Sequence, residues 1–306
     1  MNTYRPPKKK KKGRVSGVLV FLLAFVIFLA MFGGVCIWAV VNYNQQHKGE
    51  ASSAESAASA SAGFTKEDVR NLLIVTMDGA QPKGFLLLRT DPAAARVTAV
   101  AIPRETEVEN GTSLQRIDQV YSADGAQAAQ KAAGNLLGIA FDHYLTISYD
   151  NIEKLLRYLD VNLQYTLEED LDYREGDVFI KMSSGRFSLT AKQAVDILRY
   201  PNWKHGGLQK QADVQAELLA QLVNQCMTAS RTGKAEEDFA RLMELSQSDI
   251  RVSHFAQVRS GLEYLASQNS GGICKAVSLE GEYIGSGEDR RFAADGAAGQ
   301  LEALWR

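Results

Sequence analysis

Residues 96–106 read Arg-Val-Thr-Ala-Val-Ala-Ile-Pro-Arg-Glu-Thr. After Arg96, the next six positions are β-branched and small apolar residues, a strand pattern, and the proline then closes it. The charged pair Arg104-Glu105 is thereby held at a strand end, where side chains face a crevice rather than a core. Working outward, residues 71–77 (Asn-Leu-Leu-Ile-Val-Thr-Met) form a short apolar run that ends at Asp78-Gly79, which suits a buried strand meeting a turn. Residues 85–89 give a third strand candidate, divided from 96–102 by the turn signal Asp91-Pro92.

Beyond these, an Ala-rich helix is predicted over 126–137, stopped by Gly138, and a strand over 142–148. A helix over 151–159 with Asp150 as its N-cap follows, and then a polar segment up to Ser184. Helices are predicted over 190–198, capped by Thr190, and over 211–230, with further helices over 236–245 and 255–265, a strand over 275–279 and a terminal helix. Strands alternating with helices predict an α/β class, a central mixed sheet covered by helices on both faces.

The N-terminus is of another kind. Arg5, Lys8 to Lys12 and Arg14 precede an uncharged run over 15–41. These 27 residues would make a helix of roughly 40 Å against a hydrocarbon core of about 30 Å. The run is longer than the apolar region of a cleaved signal, so an uncleaved single-pass anchor is predicted, with the basic tail cytoplasmic and the rest of the chain extracytoplasmic in a cell membrane. With seven of the 34 basic residues in the tail, 27 remain against 36 acidic ones, a balance of about −9. A domain of that charge does not grip polyanions in bulk, and no helix-turn-helix pattern is visible, so no nucleic-acid partner is expected. Anionic ligands would need a local pocket of Arg and Lys. His47, His143, His205 and His254 are scattered, and there is no CxxC or HExxH pattern to hold zinc. Cys226 and Cys274 are either a disulfide or two buried thiols.

Five segments resemble, in order and spacing, the LytR-CpsA-Psr (LCP) family of membrane-anchored cell-wall enzymes. Residues 96–106 resemble its "VTxxSIPRDT" signature, and residues 71–78 its "NILLLGxD" opening strand. Arg116-Ile-Asp118 with Tyr121 and Gly125, Leu137-Gly-Ile139 with His143-Tyr144, and Ser184-Gly185 to Ala194 with Arg199 complete the series. On this resemblance the chain divides into a cytoplasmic tail (1–14), a transmembrane helix (15–42), a flexible Ser/Ala-rich stalk (43–66), an LCP-like α/β domain (67–230) and a C-terminal α/β extension (231–306), separate or part of the same domain.

The resemblance implies an enzyme that moves an anionic glycopolymer such as teichoic acid from a polyprenyl-pyrophosphate carrier to peptidoglycan, with Mg²⁺ if it is catalytically active. Its site residues would be Asp78 and Glu105 as catalytic and metal-binding carboxylates, with Lys83, Arg104, Arg116, Arg199 and Lys210 on the pyrophosphate. Departures from the family pattern qualify this. The Arg, Asp and Thr of the family's "RSDT" fall on Gln81, Lys83 and Gly84, Glu105 replaces an Asp, and Ala80 replaces an Arg. The family's "RxxRQ" falls on Lys210, Asp213 and Val214. An ammonium in place of a carboxylate weakens Mg²⁺ binding. Lys83 either holds a phosphate where the metal would sit or is a solvated loop lysine. Two functions are therefore expected in parallel: a glycopolymer phosphotransferase, or a non-catalytic relative that binds a polyprenyl-phosphate lipid or a cell-wall partner.

Overall fold

The computed structural model of the protein describes residues 63–306. The predicted tail, transmembrane helix and most of the stalk lie outside the described residues. Among the described residues no helix is long and apolar enough to cross a membrane.

Strand β1 (Arg70–Asp78) turns at Gly79, whose φ is +58°, into antiparallel β2 (Gln81–Asp91), which continues into antiparallel β3 (Arg96–Ile102). Thr76 pairs with Gly84 but Met77 with Pro82, so Lys83 is the extra residue of a β-bulge. Pro82 is tolerated there because a bulge does not need its missing N–H. Strand β6 (His143–Ser148) lies parallel to β1 on the other side. The sheet is completed by β12 (Cys274–Ser278), parallel to β3, and β11 (Gln247–Ser248), antiparallel to β6, giving the order β11-β6-β1-β2-β3-β12. Both edges thus come from residues after 231. The C-terminal segment finishes the main sheet.

Alternation along the strands sends side chains to opposite faces. Leu73, Val75, Phe85 and Leu87 pack on α1 (Ile117–Leu137) and α7 (Ala297–Trp305). Leu86, Ala99 and Ala101 pack on α4 (Gly207–Cys226) through Ala212, Ala216 and Ala220, whose spacing of four lines one helix face. Helices therefore cover both faces, as the alternation predicts. Helix α1 begins earlier than the sequence suggests and is broken at Gly125, φ +82°, one residue before the predicted start. It ends at Gly138, φ +65°, as predicted.

Helix α2 (Tyr149–Leu159) is capped by Ser148, whose hydroxyl accepts from the Asn151 N–H, and not by Asp150, which lies inside the first turn. The stretch read as merely polar holds three strands, β7 (Gln164–Leu167), β8 (Leu171–Glu175) and β9 (Val178–Met182), and β10 (Gly185–Ser188) follows it, paired as β7 with β10 and β8 with β9. Short alternating strands with exposed charged positions give little apolar signal. With α2, α3 (Ala191–Arg199) and Trp203 they form a second apolar cluster. Helix α4 runs over 207–226 where 211–230 is predicted, and α5 (Ala235–Leu245) and α6 (Val252–Gln268) follow. Cys226 and Cys274 are free thiols, one half-buried and one buried.

Candidate anion site at the carboxyl ends of the strands

Three parallel strands, β1, β6 and β3, end on one side of the sheet, and the charged residues collect there. Strand β1 ends in Asp78. Its carboxylate accepts from Arg199 Nη2 at 3.1 Å, and the same nitrogen lies 3.6 Å from Asp150 Oδ1. Arg199 is the last residue of α3, a helix fixed at its start by the Thr190–Gln193 capping box and along its length by buried Ala194, Val195, Ile197 and Leu198. Under the guanidinium, 5.1 Å away, is the ring of Tyr149. The Tyr149 hydroxyl donates to the Leu198 carbonyl at 3.2 Å and accepts from Gln215 Nε2 at 3.4 Å. Burial pushes it far above the ordinary phenol value, so it is a neutral donor.

After β3 comes the turn Pro103-Arg104-Glu105-Thr106, closed by Thr106 N–H and hydroxyl bonds to the Pro103 carbonyl at 2.9 and 2.6 Å. It is tied to the start of α1 by the Asp118 N–H on the Arg104 carbonyl and the Ile117 N–H on the Thr106 carbonyl. Glu105 is 2% exposed. Its Oε1 accepts from Arg104 Nε at 2.7 Å and lies 3.9 Å from Arg116 Nη2. Its Oε2 is buried without a partner among the described residues. Arg116 is held in turn by Asp118, Nε to Oδ1 at 3.0 Å.

The two groups adjoin. The hydroxyls of Tyr149 and of Tyr173 on β8 both feel the charges of Asp78 and Arg104, and a hydrogen bond to Glu175 pushes Tyr173 up to about 12. The structure therefore brings Asp78, Arg199, Arg104, Glu105 and Arg116 together. Neither of the two lysines pairs with Asp78 or Glu105 among the described residues. Lys83 sits in the β2 bulge, not in a loop, and its ammonium donates to Gln81 Oε1 at 2.8 Å. The ammonium of Lys210 lies 5.9 Å from the Tyr165 ring centroid, in a setting charged by Glu217 and Glu168.

An apolar cavity of roughly 500 Å³ runs between the sheet and α2, α4, α5 and α6, lined by Leu72, Ile74, Leu86, Leu145, Leu218 and Leu222 among others. Thr76 and Gln215 also line it, and their Oγ1 and Oε1 are buried without partners. Gln215 thus joins the cavity wall to Tyr149 and the Arg199 guanidinium. Gly84 makes room for it, since a Cβ there would lie 1.7 Å from Gln215 Oε1 and 2.7 Å from Thr76 Oγ1. The Thr that the family resemblance leads one to expect at this position cannot coexist with Gln215 as placed.

A metal here would draw few ligands from the chain and take its remaining oxygens from phosphate and water. Among the described residues no three His, Cys, Asp or Glu converge. Asp78 and Glu105 are each engaged by a guanidinium, and Mg²⁺ asks for near-octahedral oxygens. Arg199, joined through Tyr149 and Gln215 to an apolar cavity, with Arg104 and Arg116 on Glu105, suits an anion with an apolar tail.

Asp150, Tyr149 and Tyr173 escape motif reading. The signal for the first two was available, because they directly follow a strand parallel to β1. Tyr173 carries none, lying in a strand the apolar pattern does not reveal.

A family model described as the LytR_cpsA_psr family matches residues 39–284. The chain is 22% identical, over 80% of its length, to the polyisoprenyl-teichoic acid–peptidoglycan teichoic acid transferase TagV of Bacillus subtilis, of which it spans 66%, just under two thirds. It is also 22% identical, over 88% of its length and 89% of the relative's, to a transferase of the same description, TagU, from Enterococcus faecalis. The crystal structure of B. subtilis TagV superposes with a TM-score of 0.62 at 20% identity, covering 78% of this chain and 95% of that one, a likeness of fold.

Proposed function

The chain belongs to the LytR-CpsA-Psr family, and from that premise we propose that it binds a polyprenyl-pyrophosphate-linked anionic glycopolymer at the cell surface and passes the polymer to peptidoglycan. The observation that carries this reading is the path from the apolar cavity through Gln215 and Tyr149 to Arg199, with Arg104 and Arg116 gathered on Glu105. The guanidiniums supply forked donors for the pyrophosphate oxygens, and the cavity takes part of the polyprenyl chain. The uncharged run over 15–41 and the basic tail before it support a single-pass anchor that keeps the domain beside lipid-borne substrates.

In the transfer, a hydroxyl oxygen of the acceptor sugar attacks the phosphorus that bears the polymer. The bond from that phosphorus to the bridging oxygen breaks, and polyprenyl phosphate leaves with the electron pair. Arg104 and Arg199 stabilise the charge that gathers on it. Asp78, about a third exposed and tied to Arg199 through Oδ1, is open to take the hydroxyl proton. Glu105 holds Arg104 and Arg116 in place.

A second reading is favoured by the departures from the family pattern at Gln81, Lys83 and Gly84: the protein binds the lipid-linked ligand without turning it over. Full-length protein in detergent, given a polyprenyl-pyrophosphate-linked polymer and a peptidoglycan acceptor with and without Mg²⁺, separates the two. Release of polyprenyl phosphate that is lost in Arg104→Ala supports transfer. Binding that resists EDTA, with no release under any divalent ion, leaves the second reading, and no binding at all overturns both.

A further inference from the structure

The chain after β12 returns to the site. Strands β13 (Glu282–Ile284) and β14 (Arg291–Ala293) form a hairpin that docks on the Pro103–Thr106 turn. The Phe292 N–H donates to the Glu105 carbonyl at 2.9 Å, and Thr106 bridges to Phe292. Arg291 pairs with Glu107 at 2.6 Å, and Arg116 Nη1 donates to the Glu288 carbonyl at 3.2 Å. Glu288 and Phe292 each lie two residues from Arg290, so contacts on both sides fix its backbone against Glu105 and Arg116.

Arg290 itself is half-buried, its Nε is buried without a partner, and its guanidinium makes no ion pair or hydrogen bond among the described residues. The other arginines of this site, Arg104, Arg116 and Arg199, each hold a carboxylate. Tyr283, opposite Phe292 in the hairpin, also has a buried hydroxyl with no partner. Burial first, and then the charge of Glu105, push that hydroxyl well above the ordinary phenol value, while Arg290 and Arg104 pull against them. One neighbourhood therefore contains Arg290, Tyr283, Arg104 and Glu105.

A half-buried guanidinium that makes no ion pair or hydrogen bond is costly unless something else supplies acceptors. Glu105 shares its Oε1 between Arg104 and Arg116 and has one free oxygen, Oε2, too few acceptors for both Arg290 and Tyr283. The missing acceptors match phosphoryl oxygens, which take forked hydrogen bonds from arginine and a further one from a phenol.

We propose that Arg290 and Tyr283, delivered by the C-terminal hairpin, form a further wall of the anion site and bind a phosphoryl oxygen of the ligand. This rests on reading Arg104, Arg116 and Arg199 as the pyrophosphate cradle. It makes the C-terminal segment part of the binding site as well as of the sheet.

The test is titration of the full-length protein in detergent with inorganic pyrophosphate and with farnesyl pyrophosphate. Arg290→Gln should weaken both by about tenfold or more, the loss of one charge-assisted hydrogen-bonding group, and Tyr283→Phe by about threefold. Arg290→Lys, which keeps the charge, should fall between wild type and Arg290→Gln, and Arg157→Gln, on an exposed helix face, should change nothing. Variants are compared at matched thermal unfolding midpoints. Wild-type affinity in Arg290→Gln and Tyr283→Phe, with binding weakened in Arg104→Gln, overturns this inference and leaves the cradle standing. A wild-type protein that binds neither pyrophosphate overturns the cradle as well.

Discussion

Glu105 is the residue on which the site's charge balance turns. A carboxylate 2% exposed between two guanidiniums is tolerated because Arg104 and Arg116 compensate it, and they in turn are positioned by it. Glu105→Gln keeps the shape and removes the charge, leaving both arginines facing a neutral amide. Folding stability should fall by about 2 kcal/mol, read as a lower urea midpoint at unchanged slope. A change within about 0.3 kcal/mol would mean that the carboxylate does not hold the arginines. Gly84 makes a different demand, for space. A Cβ 1.7 Å from Gln215 Oε1 must displace that side chain, and with it the hydrogen bond to Tyr149 beneath Arg199. Gly84→Ala should cost about 1–3 kcal/mol by overpacking and should also weaken ligand binding, whereas a merely structural glycine would affect only the first.

Among the elements, α3 has the simplest task, to end at Arg199. Its start is set by Thr190, whose hydroxyl accepts from the Gln193 N–H at 3.2 Å. Thr190→Ala should cost about 1 kcal/mol of stability in urea unfolding. Ligand affinity should fall little, because the apolar face of the helix still seats its C-terminal end. This helix was legible from sequence, since a capping residue and an apolar period are local signals. So were β1, β3 and β6, whose apolar runs exceed what an exposed strand needs. The four strands over 164–188 were not, because each is four or five residues long and half its positions face outward. The cap of α2 was misplaced for a related reason. Ser148 and Asp150 are both competent caps, and the end of β6 decides between them.

For the whole molecule, the segment after residue 231 matters most. It provides both edge strands and the hairpin on the Pro103–Thr106 turn, so the fold closes only when the last quarter of the chain is present. Cys226 and Cys274 sit within this closure, and burial pushes their thiols up to about 11 and about 12 from an ordinary value near 9. The folded state then holds protons that the unfolded chain releases. Stability should be unaffected below pH 9 and fall as pH rises from 9 toward 11, by about 1.4 kcal/mol per pH unit per thiol. Urea midpoints between pH 8 and 10.5 would show it, and a Cys226→Ala, Cys274→Ala protein should show a shallower fall. The sequence by itself determined the apolar run and basic tail, the α/β alternation and the arginines that end a strand and a helix, because each is written in neighbouring residues. Only the tertiary structure decided that Lys210 lies over the Tyr165 ring and that Gly84 and Gln215 are partners. It alone brought Tyr283 and Arg290 across more than 170 residues of chain to Arg104 and Glu105. Hydrogen bonds and charge pairs depend on distance in space, and chain order fixes that distance only within an element.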